Sequence, residues 1–143
     1  MRGRGVLLEP RPALTGWAAL VKPKAIHCAT TEIYRRWDQL HGIKHGADNA
    51  MERSFPAMIH DGRPTFYNSL YHAVASVYPD YETWLWMLKR AGFGHTALTG
   101  SGAAFFSWAP TQALANAAVS LFIPEKFDVW TLPLVSQSCV WSQ

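Results

Sequence analysis

Thr99-Gly100-Ser101-Gly102 is the segment whose residue types and spacing best suit chemistry. Two glycines one residue apart let backbone N–H groups converge, and the hydroxyls of Thr99 and Ser101 add donors beside them, which suits contact with an anion such as phosphate. Taken alone, the pattern reads first as a tight strand-to-strand turn, since neither Walker spacing nor a following helix is present. Tyr34 and Trp37 stand three apart on a predicted helix and can turn their rings to one side, an arrangement that serves base stacking or, by default, core packing. Of six histidines only His41 and His45 have an i, i+4 spacing. Their segment contains glycine and makes a poor frame for a metal, so no metal site is expected. No serine or cysteine has a nearby base that would mark a nucleophile, and no catalytic residue is assigned.

The elements that must position these residues follow from punctuation and period. Short apolar runs bounded by Gly and Pro predict strands over Val6 to Leu8 and Trp17 to Val21, the second closed by Lys22-Pro23. Thr30 or Thr31 caps a helix to about Asp38, with Glu32 in its first turn where a carboxylate suits the dipole. His41 to Arg63 has little periodicity and reads as a connection with one helical turn at most. Asn68 is expected to cap a helix carrying Leu70, Ala73, Val74 and Val77, stopped by Pro79. Asp80 caps the next, whose apolar face holds Trp84, Leu85 and Leu88, with Trp86 and Met87 as further candidates. Strands from His95 to Leu98 and Ala103 to Trp108 flank the glycine turn. Pro110 is placed in the first turn of a helix continuing over Gln112 to Leu121, and Phe127 to Val135 is a closing strand. The order predicts an α+β sandwich, with helices on one face of an antiparallel sheet in a ferredoxin-like arrangement.

Composition limits the function classes. A chain of 143 residues that is 49% hydrophobic can bury one real core, so a single domain over residues 1–143 is expected. The net charge of +3 is scattered, with no run longer than Arg35-Arg36, which argues against nucleic acid and leaves an anionic small ligand open. Cys28 and Cys139 lack CxxC spacing, so neither a disulfide framework nor zinc is expected and a reducing cytoplasm fits. No segment approaches the length of a membrane span.

Four segments in order resemble the C-terminal half of a GHMP-family small-molecule kinase, in particular the diphosphocytidyl-methylerythritol kinase family. Gly3-Arg4-Gly5 with Leu7-Leu8-Glu9-Pro10 resembles the strand pair that joins the two lobes. Leu20-Val21-Lys22-Pro23 with Ala29-Thr30-Thr31-Glu32-Ile33-Tyr34 resembles the family's strand, Pro, then S/T-T-x-x-[FY] segment. Asn68-Ser69-Leu70-Tyr71 resembles its NDLE helix start, and Ala97 to Phe106 resembles the third GHMP motif nearly residue for residue. The resemblance implies that Tyr34 stacks on cytosine, that Thr30 joins it in binding substrate, and that Thr99, Gly100, Ser101 and Gly102 support the ATP phosphate loop. The implied reaction is ATP-dependent phosphorylation of the 2-hydroxyl of diphosphocytidyl-methylerythritol, in the non-mevalonate isoprenoid pathway. ATP with Mg2+ would serve the full-length enzyme and neither would be bound by this chain alone. Residues 1–12 are expected to be the remnant of a junction with a missing N-terminal lobe that carries the catalytic Asp, the catalytic Lys and the ATP loop. The chain alone is then expected to be inactive and to self-associate through the exposed lobe interface. Val6, Ser69 and Tyr71 depart from the family pattern. Two other readings are a stand-alone ligand-binding or dimerisation module and a GHMP kinase of different substrate.

Overall fold

The structure is a computed structural model in which residues 14–41, 59–60 and 63–135 are described. The elements in chain order are β1 (Trp17–Pro23), α1 (Thr30–His41), β2 (Ile59–His60), β3 (Arg63–Pro64), α2 (Tyr71–Val77), α3 (Asp80–Arg90), β4 (Thr96–Leu98), β5 (Phe105–Ala109), α4 (Gln112–Val119) and β6 (Phe127–Pro133). Four strands form one sheet in the order β4-β5-β1-β6, every neighbour antiparallel, and β2 and β3 pair separately. Counting only the strands of the large sheet, the order 2-3-1-4 is the ferredoxin-like one expected from the sequence.

Strand alternation decides which face is buried. Ala19, Val21 and Pro23 point inward from β1, while Ala18 and Leu20 are half-buried and Lys22 is exposed. Phe105, Ser107 and Ala109 do the same from β5. Pro23 is tolerated in a strand with two neighbours because it lies beyond the β5 pairing, which ends at Val21↔Phe105, and meets only Phe127 of β6. The core forms between this inner face and the helices, with Ile33 of α1, Ala73 and Val74 of α2, Tyr81 and Leu88 of α3, and Ala115 and Ala118 of α4. Small residues on α4 let it lie close against β1 and β6. Aromatic rings fill the wider part: Trp84 stacks on Phe105 at 5.9 Å and meets Phe127 edge-on at 5.1 Å, with Phe122 closing the group.

Several local expectations shift. Asn68 stands two residues before the N-cap of α2, which is Leu70. Pro79, not Asp80, is the N-cap of α3. Thr111 caps α4, its hydroxyl accepting from the Leu114 N–H, so Pro110 lies just outside the helix. Trp86, a candidate for the apolar face of α3, faces out beneath Arg90, whose guanidinium sits 5.0 Å from its ring, while Tyr81, which is not among those candidates, is fully buried. The strand expected over Val6 to Leu8, most of the His41 to Arg63 connection and His45 lie outside the described residues. No described helix is long and apolar enough to cross a membrane.

Candidate functional site

Strand direction brings the candidate residues to one end of the sheet. β5 runs antiparallel to both β1 and β4, so β1 and β4 point the same way. The connection leaving Pro23 and the turn leaving Leu98 therefore emerge together. α1 begins directly against the turn: the hydroxyls of Thr30 and Ser101 are 3.0 Å apart.

The turn is fastened from inside and outside. Thr99 donates from both its N–H and its hydroxyl to the Ala104 carbonyl, each at 3.0 Å, and the Gly102 N–H donates to the Thr99 carbonyl at 2.9 Å. The Tyr81 hydroxyl donates to the Ala103 carbonyl. Asn68 donates to the carbonyls of Leu98 and Gly100 at 2.9 and 2.7 Å. Among the described residues the N–H groups of Gly100 and Ser101 have no acceptor. Gly100 (φ +50°) has open space where a Cβ would stand, whereas a Cβ on Gly102 (φ +89°) would lie 2.9 Å from the Cys28 sulfur. The turn thus has one packed side, at Gly102, and one open side, at Gly100, the geometry of a loop that can receive a ligand through its backbone.

Beneath it, the Cys28 thiol and the Tyr81 hydroxyl lie together. Burial pushes the Tyr81 phenol well above its ordinary range, with the neighbouring Cys28 and Tyr78 adding to the effect. Burial also raises the Cys28 thiol; its polar contact with the Tyr81 hydroxyl opposes this, and Glu32 adds to the rise. Both groups stay neutral at ordinary pH and serve as packing and hydrogen-bonding groups.

Thr30 meets the turn itself. Tyr34, four residues on and therefore on the same face of α1, is 53% exposed. It is no core residue; that position belongs to Ile33, which is fully buried. Trp37 does pack inward, stacked on His41 at 4.7 Å, and the His41 ring bonds the Trp37 carbonyl at 2.9 Å. Among the described residues no group of three or more metal-ligating side chains comes together. Two residues that hold the turn escaped sequence reading, Tyr81 and the amide half of Asn68. The apolar positions Trp84, Leu85 and Leu88 extended back by helical spacing reach Tyr81, but nothing in the sequence marks its hydroxyl.

The sequence of residues 54–127, just over half of the chain, matches the family described as GHMP kinases C terminal. The chain belongs to this family. A solved structure of 4-(cytidine 5'-diphospho)-2C-methyl-D-erythritol kinase resembles the GHMP domain described here over 94% of the chain, with a TM-score of 0.64 and 23% sequence identity. At that identity the likeness speaks for the fold, which is α+β with a four-stranded antiparallel sheet. The chain spans 48% of that kinase's length. Comparison with curated proteins gave no match. The matched family describes the C-terminal region of GHMP kinases.

Proposed function

We propose that this GHMP domain is the substrate-side half of an ATP-dependent kinase that phosphorylates the 2-hydroxyl of diphosphocytidyl-methylerythritol, in the non-mevalonate isoprenoid pathway and in the cytoplasm. Its single domain would work with a second lobe that supplies the ATP loop, the Mg2+ site and the catalytic Asp and Lys; the 143-residue chain alone would then show no turnover. The observation that carries this reading is the contact between Thr30 and Ser101, which sets the exposed Tyr34 on the same helix face as the glycine turn. An aromatic ring for a base beside a backbone loop for phosphates is the pair of features a cytidine diphosphate group needs. Thr30 bridges them as a substrate contact, and Thr99, Gly100, Ser101 and Gly102 support the phosphates.

Titration of the chain with cytidine diphosphate, followed by NMR, tests this. Resonances of Tyr34 and of Gly100 to Gly102 should move together, and Tyr34→Ala should weaken cytidine diphosphate by about 1–3 kcal/mol, the worth of a base on an aromatic ring, while leaving inorganic pyrophosphate unaffected. Equal affinity of wild type and Tyr34→Ala for cytidine diphosphate defeats the stacking role and points to a GHMP kinase of different substrate.

One observation favours a second reading, self-association of a stand-alone module. On the outer sheet face Leu20 pairs with Phe106 and Trp130, and Ala18 with Trp108 and Leu132. Trp130 and Leu132 are more than two-fifths exposed. A monomer by sedimentation at every concentration removes that reading.

A further inference from the structure

We infer that Asn68 is the positioning residue of the glycine turn, holding the Gly100–Ser101 peptide so that the Ser101 N–H faces the open side. The inference deepens the reading of this turn as an anion contact and rests on it. Asn68 lies before α2, thirty residues from Leu98 in sequence, yet every polar atom of its side chain is engaged. Its Oδ1 accepts from the Leu70 N–H at 2.8 Å, and its Nδ2 donates to the Leu98 carbonyl at 2.9 Å and the Gly100 carbonyl at 2.7 Å. An amide nitrogen carries two hydrogens, so its donor capacity is spent on the two carbonyls that flank Thr99.

Starting a helix requires only an acceptor, and Asp or Ser supplies one as well as Asn. The two donated bonds are therefore surplus to the helix start and act on the turn alone. Their effect follows from peptide planarity. Fixing a carbonyl fixes the plane it belongs to, and the N–H of the next residue then points the opposite way. For the Leu98–Thr99 peptide that N–H is the one bonded to Ala104 at 3.0 Å. For the Gly100–Ser101 peptide it is the Ser101 N–H, which has no acceptor among the described residues. Asn68 and the Thr99–Ala104 bond thus hold the turn from two sides, and the free N–H is turned away from Asn68.

Asn68→Asp separates the two roles, because the carboxylate keeps the acceptor for Leu70 and sets an anion against both turn carbonyls. Amide hydrogen exchange of the whole chain should show Thr99 and Gly102 exchanging about tenfold faster or more in this variant, as loss of two hydrogen bonds implies, with the β1 amides unchanged. Inorganic pyrophosphate should shift Gly100 and Ser101 in the wild type and bind about tenfold more weakly to the variant, the turn being no longer preorganised. Asn68→Ser, with an acceptor and a shorter reach, should behave the same way and keeps the test open if the aspartate variant does not fold. Wild-type exchange at Thr99 and Gly102 in the folded variant overturns the positioning role, as does faster exchange confined to α2. A wild type that ignores pyrophosphate overturns the anion reading instead, and the exchange result still decides the role of Asn68.

Discussion

The core and the glycine turn are built on opposite principles. Around Phe105, apolar rings and small side chains exclude water over a wide area, and no single contact is indispensable in kind. The turn that follows β4, although it adjoins Phe105 through the Leu98 pairing, buries little of its own. Asn68, Tyr81, Thr30 and Cys28 come to it from three segments far away in sequence and fix it by hydrogen bonds and one close packing contact. Area holds the domain together, and direction holds the turn. Damage to the first should therefore spread through the molecule, and damage to the second should stay local.

The largest effect is expected from Phe105→Ala. Phe105 is fully buried and touches Tyr81, Trp84 and Phe122. Removing its ring should cost about 3–5 kcal/mol, measured by urea unfolding, and should speed amide exchange in helices and sheet alike. Loosening confined to β5 would break the contrast.

Two glycine substitutions probe the turn at smaller cost. Gly100→Ala meets only the strain of a positive φ, about 1 kcal/mol, because nothing lies within 4 Å of the new Cβ. Gly102→Ala adds a contact 2.9 Å from the Cys28 sulfur and should cost about 2 kcal/mol or more. In a Cys28→Ala background the excess at Gly102 should shrink while the cost at Gly100 stays the same. Equal costs in both backgrounds would show that Cys28 does not pack the turn.

The same contrast explains what was legible in the sequence. Apolar runs, helical period and Gly/Pro punctuation mark the core: β1 is a short apolar run closed by Lys22-Pro23, Leu70, Ala73 and Val74 repeat at helical spacing, and the ferredoxin-like order follows from the element order. The turn itself was visible because glycines mark positions where side chains are unwelcome. Its fastening was not. Asn68 advertises a helix start, and only the fold reveals that its amide reaches 30 residues onward; Tyr81 looks like one more aromatic of α3. The exposure of Tyr34 was open for a related reason, since Ile33, Tyr34 and Trp37 are all apolar enough to be core. The fold buries Ile33, packs Trp37 against the core and leaves Tyr34 exposed.

Titration gives the smallest and most specific expected effect. The Tyr81 phenol, raised chiefly by burial, and the Cys28 thiol, raised likewise, keep their protons to higher pH in the folded chain than in the unfolded one. Between the ordinary and the raised values the folded state binds more protons, so stability must fall as pH rises. Below the thiol's ordinary value of 9.0 the contribution is complete, and the decline steepens above the phenol's ordinary value of 10.0. Tyr71 and Tyr78 are raised in the same direction, so Tyr81→Phe should flatten the decline without abolishing it. At neutral pH that variant should be about 1 kcal/mol less stable, because the Ala103 carbonyl loses its donor. The variant and wild-type curves should therefore converge as pH rises through the alkaline range. Parallel curves in urea titrations across that range would mean that Tyr81 ionises as freely in the folded chain as in the unfolded one, and that its hydroxyl is not what ties α3 to the turn.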